Sequence, residues 1–308
     1  MPLLYLNVKA AMDKKLEKVL PTCQGVAFTG DFWTSNSADP YLGMTMHFVD
    51  EDFVLHRIMV ACKLAEGRHT AVHIASHMDK VVSGIAGLKS TTTRFCLTDN
   101  AAAMLAAVPK LTKKLDVGFG CIDHVLNLII KATNKAVPEI AAAIKECKDF
   151  STRVHHTPLD QQRMRRECWN LRNDSGTAEE VNFKKIITDV DTRWNSTLFL
   201  IRSISEMKPA LQSLKEGRFE DVDKTDQKFK QMIPTDQTFD IIESIIPIME
   251  KVLLLSEVLS GDDKPTLHQV IPMIYNLDSF LHTKMRSASQ NTYQRDYCKA
   301  MSSELNRR

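Results

Sequence analysis

Two aspartates each close a short apolar run. Val26, Ala27 and Phe28 lead to Asp31 within Gly25-Val26-Ala27-Phe28-Thr29-Gly30-Asp31-Phe32-Trp33-Thr34-Ser35, and Phe95-Cys96-Leu97-Thr98 leads to Asp99 and Asn100. Runs of this kind read as buried strands. Both carboxylates are therefore expected where a strand leaves its sheet, the end at which open α/β sheets gather ligands. Two carboxylates that face each other repel, and a cation between them relieves the repulsion. Mg2+ or Mn2+ suits such a place, because hard cations prefer oxygen ligands. Aspartate after a strand also serves as a helix cap or turn residue, so these segments alone leave both roles open. Cys121 and His124, three residues apart, could meet one ligand from a strand-helix junction. Two ligands do not make a zinc site; packing suits Cys121, and His124 stands between a phosphate contact and a hydrogen-bonded core role.

Positioning these groups takes a particular order of elements. A charged amphipathic helix is expected over residues 8–20, stopped by Pro21. The strand ending at Asp31 follows, then a hairpin from Tyr41 to Val49 and Phe53 to Leu64, giving three antiparallel strands. Thr70 can cap a helix over 71–83 with Ala71, Ile74, Ala75, Met78 and Val82 on one face. A fourth strand delivers Asp99, a fifth is expected near Phe119 to Ile122, and a helix over 123–136 follows. Three antiparallel strands, helix, strand, helix is an α/β pattern joining a hairpin to a parallel crossover. Pro138 opens a further helix, and 171–180 reads as a loop. Beyond Trp194 the chain reads as all helical. Residues 215–231, rich in charge, read as an exposed linker; Asp236 caps a helix over 239–260 holding Pro247; another spans 266–282; and the polar end shows no stop signal.

The 308 residues suffice for one large or two ordinary domains. With 44% hydrophobic and 25% charged residues the chain falls among globular proteins. A net charge of +2 carries no global basic field, so any nucleic-acid surface must be local. Arg153, His155, His156, Arg163, Arg165, Arg166 and Arg172 offer such a surface, diluted by Asp160 and Glu167. Seven scattered cysteines without a C-x-x-C pair argue for reduced thiols. No apolar run approaches a membrane span.

Four motifs now fall in order. Asp31-Phe32-Trp33-Thr34-Ser35 precedes Thr98-Asp99-Asn100-Ala101-Ala102-Ala103-Met104, then Cys121-Ile122-Asp123-His124-Val125-Leu126-Asn127, then Asp189-Val190-Asp191-Thr192-Arg193-Trp194-Asn195-Ser196, with Glu66-Gly67-Arg68-His69 in support. From about residue 24 to about 282 the chain resembles the hAT superfamily of DNA transposases, in particular the branch that gave rise to BED-type zinc-finger proteins.

The resemblance implies an RNase H-like core over 1–195 interrupted by an all-helical insertion over 196–308. It implies DNA as partner, a nuclear location and strand cleavage through two metal ions, Mg2+ or Mn2+. Asp31 and Asp99 match the two metal-binding aspartates, His124 the histidine near the scissile phosphate, and Arg193 and Trp194 the Arg-Trp pair whose indole stacks on a flipped-out base. The family's catalytic glutamate follows the insertion and is not expected in these residues; Glu243, Glu250 and Glu257 lie on a helix inside it. Neither a BED finger with its zinc ligands nor the family's dimerisation segment is visible, which leaves self-association open. The expectation is a catalytically incomplete DNA-binding protein; the alternatives are a non-enzymatic transcriptional regulator or interaction module with nuclear protein partners, or a segment of an active transposase. A core without its last helix is expected to leave apolar sheet surface uncovered.

Overall fold

A computed structural model describes residues 2–68, 70–111, 117–174, 183–190, 194–217, 224–261, 263–287 and 291–308. The chain forms two compact units, residues 1–125 with 261–266, and residues 126–260 with 267–308.

The first unit is built on five strands: β1 (Gly25–Thr34), β2 (Pro40–Val49), β3 (Leu55–Leu64), β4 (Thr93–Thr98) and β5 (Val117–Gly120). Their order across the sheet is β3-β2-β1-β4-β5. β1, β2 and β3 pair antiparallel, whereas β4 pairs parallel to β1 and β5 parallel to β4. This is the expected RNase H-like arrangement. Helix α1 (Pro2–Val19) precedes the sheet, and its end at Pro21 is a short 3-10 turn. Helix α2 (Ala71–Ser83) makes the crossover from β3 to β4, and Thr70 Oγ1 accepts the His73 N–H to cap it. Helix α3 (Ala102–Ala107) follows β4.

Alternation along β1 and β2 sends Val26, Phe28, Leu42, Met44, Met46 and Phe48 to one face, against Ile74, Met78 and Val82 of α2 and Met104 of α3. Each fully buried Phe or Met contributes about 1.5–3 kcal/mol. The opposite face is only partly covered: Met59 is 63% and Val117 39% exposed. β1 does not end at Asp31. It continues to Thr34 because β2 supplies partners as far as the Thr34 and Pro40 pair, while β4 stops at Thr98.

At the turn between β2 and β3, Asp50 accepts the backbone N–H groups of Asp52 and Val54, and its other oxygen lies 2.6 Å from His56 Nε2. The His56 ring stacks on Phe48. The His56 hydrogen bond, followed by that of the Val54 amide, holds the Asp50 carboxyl below its ordinary value.

The second unit is helical. Helix α4 (Ile122–Ala136) begins in the first unit and runs into the second. It is followed by α5 (Pro138–His156), α6 (Pro158–Asp174), α7 (Trp194–Glu206), α8 (Lys208–Glu216), α9 (Lys224–Met232), α10 (Asp236–Leu259), α11 (Val270–Ser287) and α12 (Thr292–Arg307). The second unit begins after residue 125, and within it α5 buries Ile140, Ile144, Cys147 and Phe150 in packing on α7 and α10. Four expectations are corrected. Helix α6 extends to Asp174, into the expected loop. The expected linker contains α9, whose Phe229 is fully buried with its ring 6.1 Å from that of Phe150. Thr235, not Asp236, caps α10 through its hydroxyl. The polar end is α12, capped by Asn291 and burying Tyr297, Cys298 and Met301.

Asp160 is fully buried and lies 2.7 Å from Arg153 Nε and 2.6 Å from an Arg163 guanidinium nitrogen. The seven cysteines are free thiols. Burial pushes the Cys96 thiol up to about 11 and the Cys147 thiol up to about 12, so neither is a nucleophile near neutrality.

Two measurements check these contacts. Asp160→Asn leaves two poorly hydrated arginines without their counter-charge and is expected to cost about 3–5 kcal/mol in denaturant unfolding. Because the Asp50 carboxyl is depressed in the folded chain, its stabilisation is present above the unfolded carboxylate pKa and is lost as pH falls through the folded value. Wild type is therefore expected to lose more stability than Asp50→Asn on acidification below about pH 4.

Candidate functional site

The register of β1 on β4 sets the site. Gly30 opposite Thr98 is the last pair of that parallel ladder. The next residues are Asp31 and Asp99, so the two aspartates directly follow the last rung of the ladder on neighbouring stretches of the chain. Alternation puts Val26, Phe28 and Gly30 on the packed face, so Asp31 projects from the opposite one with Thr29 and Trp33. Thr98, the last residue of β4, is buried, and Asp99 follows it just outside the strand. Asp31 is exposed and Asp99 half-buried. One Asp99 oxygen accepts the Ala101 N–H at 3.3 Å, the turn contact that aspartate makes after a strand. That bond engages Oδ1 alone, so the turn role and a ligand role are compatible.

Cys121 N–H donates to Thr98 O at 2.7 Å, and Asn100 Nδ2 donates to Cys121 O at 3.3 Å. These bonds tie the start of α4 to the end of β4. A Cβ at Gly120 would lie 1.9 Å from Asn100 Oδ1, so glycine there is what lets the Asn100 side chain reach across. His124, half-buried in the first turn of α4, is thereby brought to the end of the sheet that carries Asp99. Cys121 is a backbone link at this corner.

Two features of the same sheet face escape a reading of the motifs alone. Trp33, 39% exposed, stacks on Tyr41 with centroids 5.7 Å apart. It crosses Gly43, where a Cβ would come within 2.8 Å of the indole, so glycine opposite Asp31 makes room for the ring. Thr29 and Thr45 share a hydrogen bond, and Thr45 meets His47 Nε2 at 2.8 Å. The cross-strand position of Thr45 and His47 is invisible until the register is known.

Among the described residues, no three His, Cys, Asp or Glu side chains form a group that could hold a metal ion. Glu243 is bound to Lys208 at 2.9 Å, and Glu250 lies 3.8 Å from Arg202. Both serve contacts of α10 with α7 and α8. In the basic stretch, Arg153 and Arg163 are held by Asp160, and Arg165 lies over the Phe183 ring. Those contacts make much of it structural. The Arg172 side chain lies outside the described residues.

Arg193 also lies outside the described residues. Trp194 opens α7, is 6% exposed, and lines a cleft of about 420 Å³ within the second unit. Lys131, Asn134 and Lys135 of α4, Lys148 of α5, and Asp189 share that cleft. Asp189 accepts the hydroxyls of Ser196 at 2.5 Å and Thr197 at 3.0 Å, and its second oxygen lies 2.6 Å from Lys148 Nζ. Burial raises the Asp189 carboxyl, but the Lys148 ammonium and the two hydroxyls outweigh it and hold the carboxyl below its ordinary value. The lysines at 131 and 135, one helical turn apart, are the signal that the sequence offers for this cleft.

Comparison with known proteins agrees with this arrangement. Residues 29–125 match the ZBED1 RNase-like domain, and residues 119–247 match the ZBED1 RNase-like helical domain. The second match begins near the division between the two compact units. The chain is 27% identical over 276 residues to a putative AC transposase of Zea mays, covering 85% of this chain and 31% of that protein. It is 30% identical over 225 residues to a putative AC9 transposase of Zea mays, covering 69% and 25%. It is 22% identical over 295 residues to zinc finger BED domain-containing protein 4 of Homo sapiens, covering 90% and 22%. The chain thus spans about a third or less of the length of these relatives. With an RNase-like sheet followed by a helical unit, matched in that order, this chain belongs to the hAT transposase-derived proteins.

Proposed function

We propose that this chain is a nuclear, DNA-facing transposase-derived core that holds a divalent cation but does not complete strand cleavage with its own residues. The observation that supports this reading is the register of Gly30 on Thr98, the last rung of the parallel ladder, which Asp31 and Asp99 directly follow. Two adjacent carboxylates fit Mg2+ or Mn2+, since Mg2+ is commonly held by one or two carboxylates and keeps several waters. When bound, such ions activate an attacking oxygen and stabilise a leaving one in phosphodiester chemistry. Asp31 and Asp99 would hold the ion, and Asp99 would do so while its Oδ1 keeps the Ala101 turn. His124 sits in the first turn of α4, the end of a helix whose dipole favours a phosphate. In the second unit, Trp194 and Arg193 are the proposed contacts to a displaced base.

The relatives named for transposition or for a BED zinc finger support DNA as the partner. No described helix is long and apolar enough to cross a membrane.

The test combines calorimetry with a cleavage assay on residues 1–308. Mn2+ is expected to bind wild type, with that binding lost in Asp31→Asn and in Asp99→Asn. Labelled duplex DNA is expected to bind, to weaken steeply with added salt, and to stay uncut in Mg2+ or Mn2+. Metal-dependent cutting that disappears in Asp31→Ala would overturn the claim of incompleteness. Folded wild-type protein that takes up no Mn2+ would overturn the metal site.

A further inference from the structure

Strand β3 is an open edge of the sheet. The order β3-β2-β1-β4-β5 gives it one neighbouring strand, and its ten residues include no proline. One side of its backbone pairs with β2, and the other side faces away from the sheet. A long edge of this kind is a template for an added strand, and bulges or charges restrict where that strand can pair. A bulge is present here. Met44 pairs with Ala61 and Thr45 with Met59, so Val60 is the extra residue. Residues 61–64 beyond it keep a regular register on β2.

The two faces of that stretch differ. Residues paired across strands share a face of the sheet. Lys63 is opposite Leu42, a core residue, so it lies on the side covered by α2. Cys62 is opposite Gly43 and Leu64 opposite Tyr41, which puts both on the face that carries Trp33. Met59, opposite Thr45, shares that face. Met59, Cys62 and Leu64 are all exposed. The side chains of an added strand alternate in the same way. One row meets these three residues, and the other row turns toward α2.

On the α2 side the charge is positive. Lys80, in the last turn of α2, is exposed and close enough to act on the Lys63 ammonium. Burial, and after it the Lys80 charge, holds Lys63 below its ordinary value. Among the described residues neither lysine forms an ion pair. Two like charges at a partly desolvated rim are relieved by an anion between them. A carboxylate on the α2-facing row of an added strand is placed to supply it.

We propose that β3 receives an extended acidic segment of a partner protein by strand addition along residues 61–64. Backbone hydrogen bonds supply affinity, and the side chains on alternate positions supply specificity. Apolar residues of the segment lie on Met59, Cys62 and Leu64, and its carboxylates face Lys63 and Lys80. The inference goes beyond the DNA-facing reading and does not depend on the cation at Asp31 and Asp99.

The experiment uses the full chain and fluorescence anisotropy at low salt. The probe is a fluorescein-labelled octapeptide that alternates valine and glutamate. One control peptide has lysine in place of glutamate, and a second has proline at its two central positions, which removes backbone donors while keeping acidic charge. Wild type is expected to bind the valine-glutamate peptide at least tenfold more tightly than either control. Lys63→Glu/Lys80→Glu is expected to weaken that binding at least tenfold and to gain affinity for the lysine peptide. Melting curves establish that the variant is folded; if it is not, Lys80→Glu alone, on the exposed surface of α2, decides by the same direction of change. Three results each overturn the proposal: wild type that does not bind the valine-glutamate peptide, equal binding of the proline peptide, or a folded charge-reversed variant that binds undiminished.

Discussion

The parallel pairing of β1 with β4 is the constraint on which the first unit depends. It is the joint between an antiparallel hairpin sheet and a crossover, and its last rung fixes which residues emerge together. Shifting that register by one residue would separate Asp31 from Asp99 and reverse the face of every side chain on β4. The register is held from both sides of the sheet. Phe28 and Cys96 are paired residues that both point into the core packed by α2 and α3. Beyond the ladder, backbone and side-chain hydrogen bonds bind Thr98, Asn100 and Cys121 into one corner. Core packing and site geometry therefore come from the same few contacts.

The helical unit uses a different device. Its interior includes charge as well as hydrocarbon: Asp160 bridges two arginines, and Asp189 gathers a lysine and two hydroxyls. Each carboxylate ties separate stretches of chain together, Asp160 linking α5 to α6, and Asp189 linking α5 to the start of α7. Such buried ionic contacts specify where helices meet rather than adding much net stability.

Much of this was legible in the sequence because local signals agreed with the final packing. The hairpin, the Thr70 cap, the apolar stripe of α2 and both aspartates were readable from period and composition. What could not be read depended on partners distant in the chain. β1 outruns Asp31 because β2 supplies hydrogen-bonding partners that its own residues do not advertise. Residues 215–231 look like solvent-exposed linker until Phe229 is seen to fill a hole beside Phe150. The polar C-terminal helix hides four buried residues, Tyr297, Cys298, Met301 and Ser302, on a face that packing with α10 and α11 explains. The division into units near residue 125 rests on α5 packing against helices that begin far downstream. In the site, Trp33 lying across Gly43 and the orientation of Asn134 by Tyr297 are products of tertiary register, with no counterpart in linear spacing.

The central claim is that Asp31 and Asp99 form one ligand pair just past the last rung of the β1 and β4 ladder. Anomalous diffraction from crystals of this chain soaked in Mn2+ tests it most directly. The expected result is a manganese peak bridged by carboxylate oxygens of both residues. A well-ordered sheet in which manganese touches only one of them, or neither, would contradict the claim.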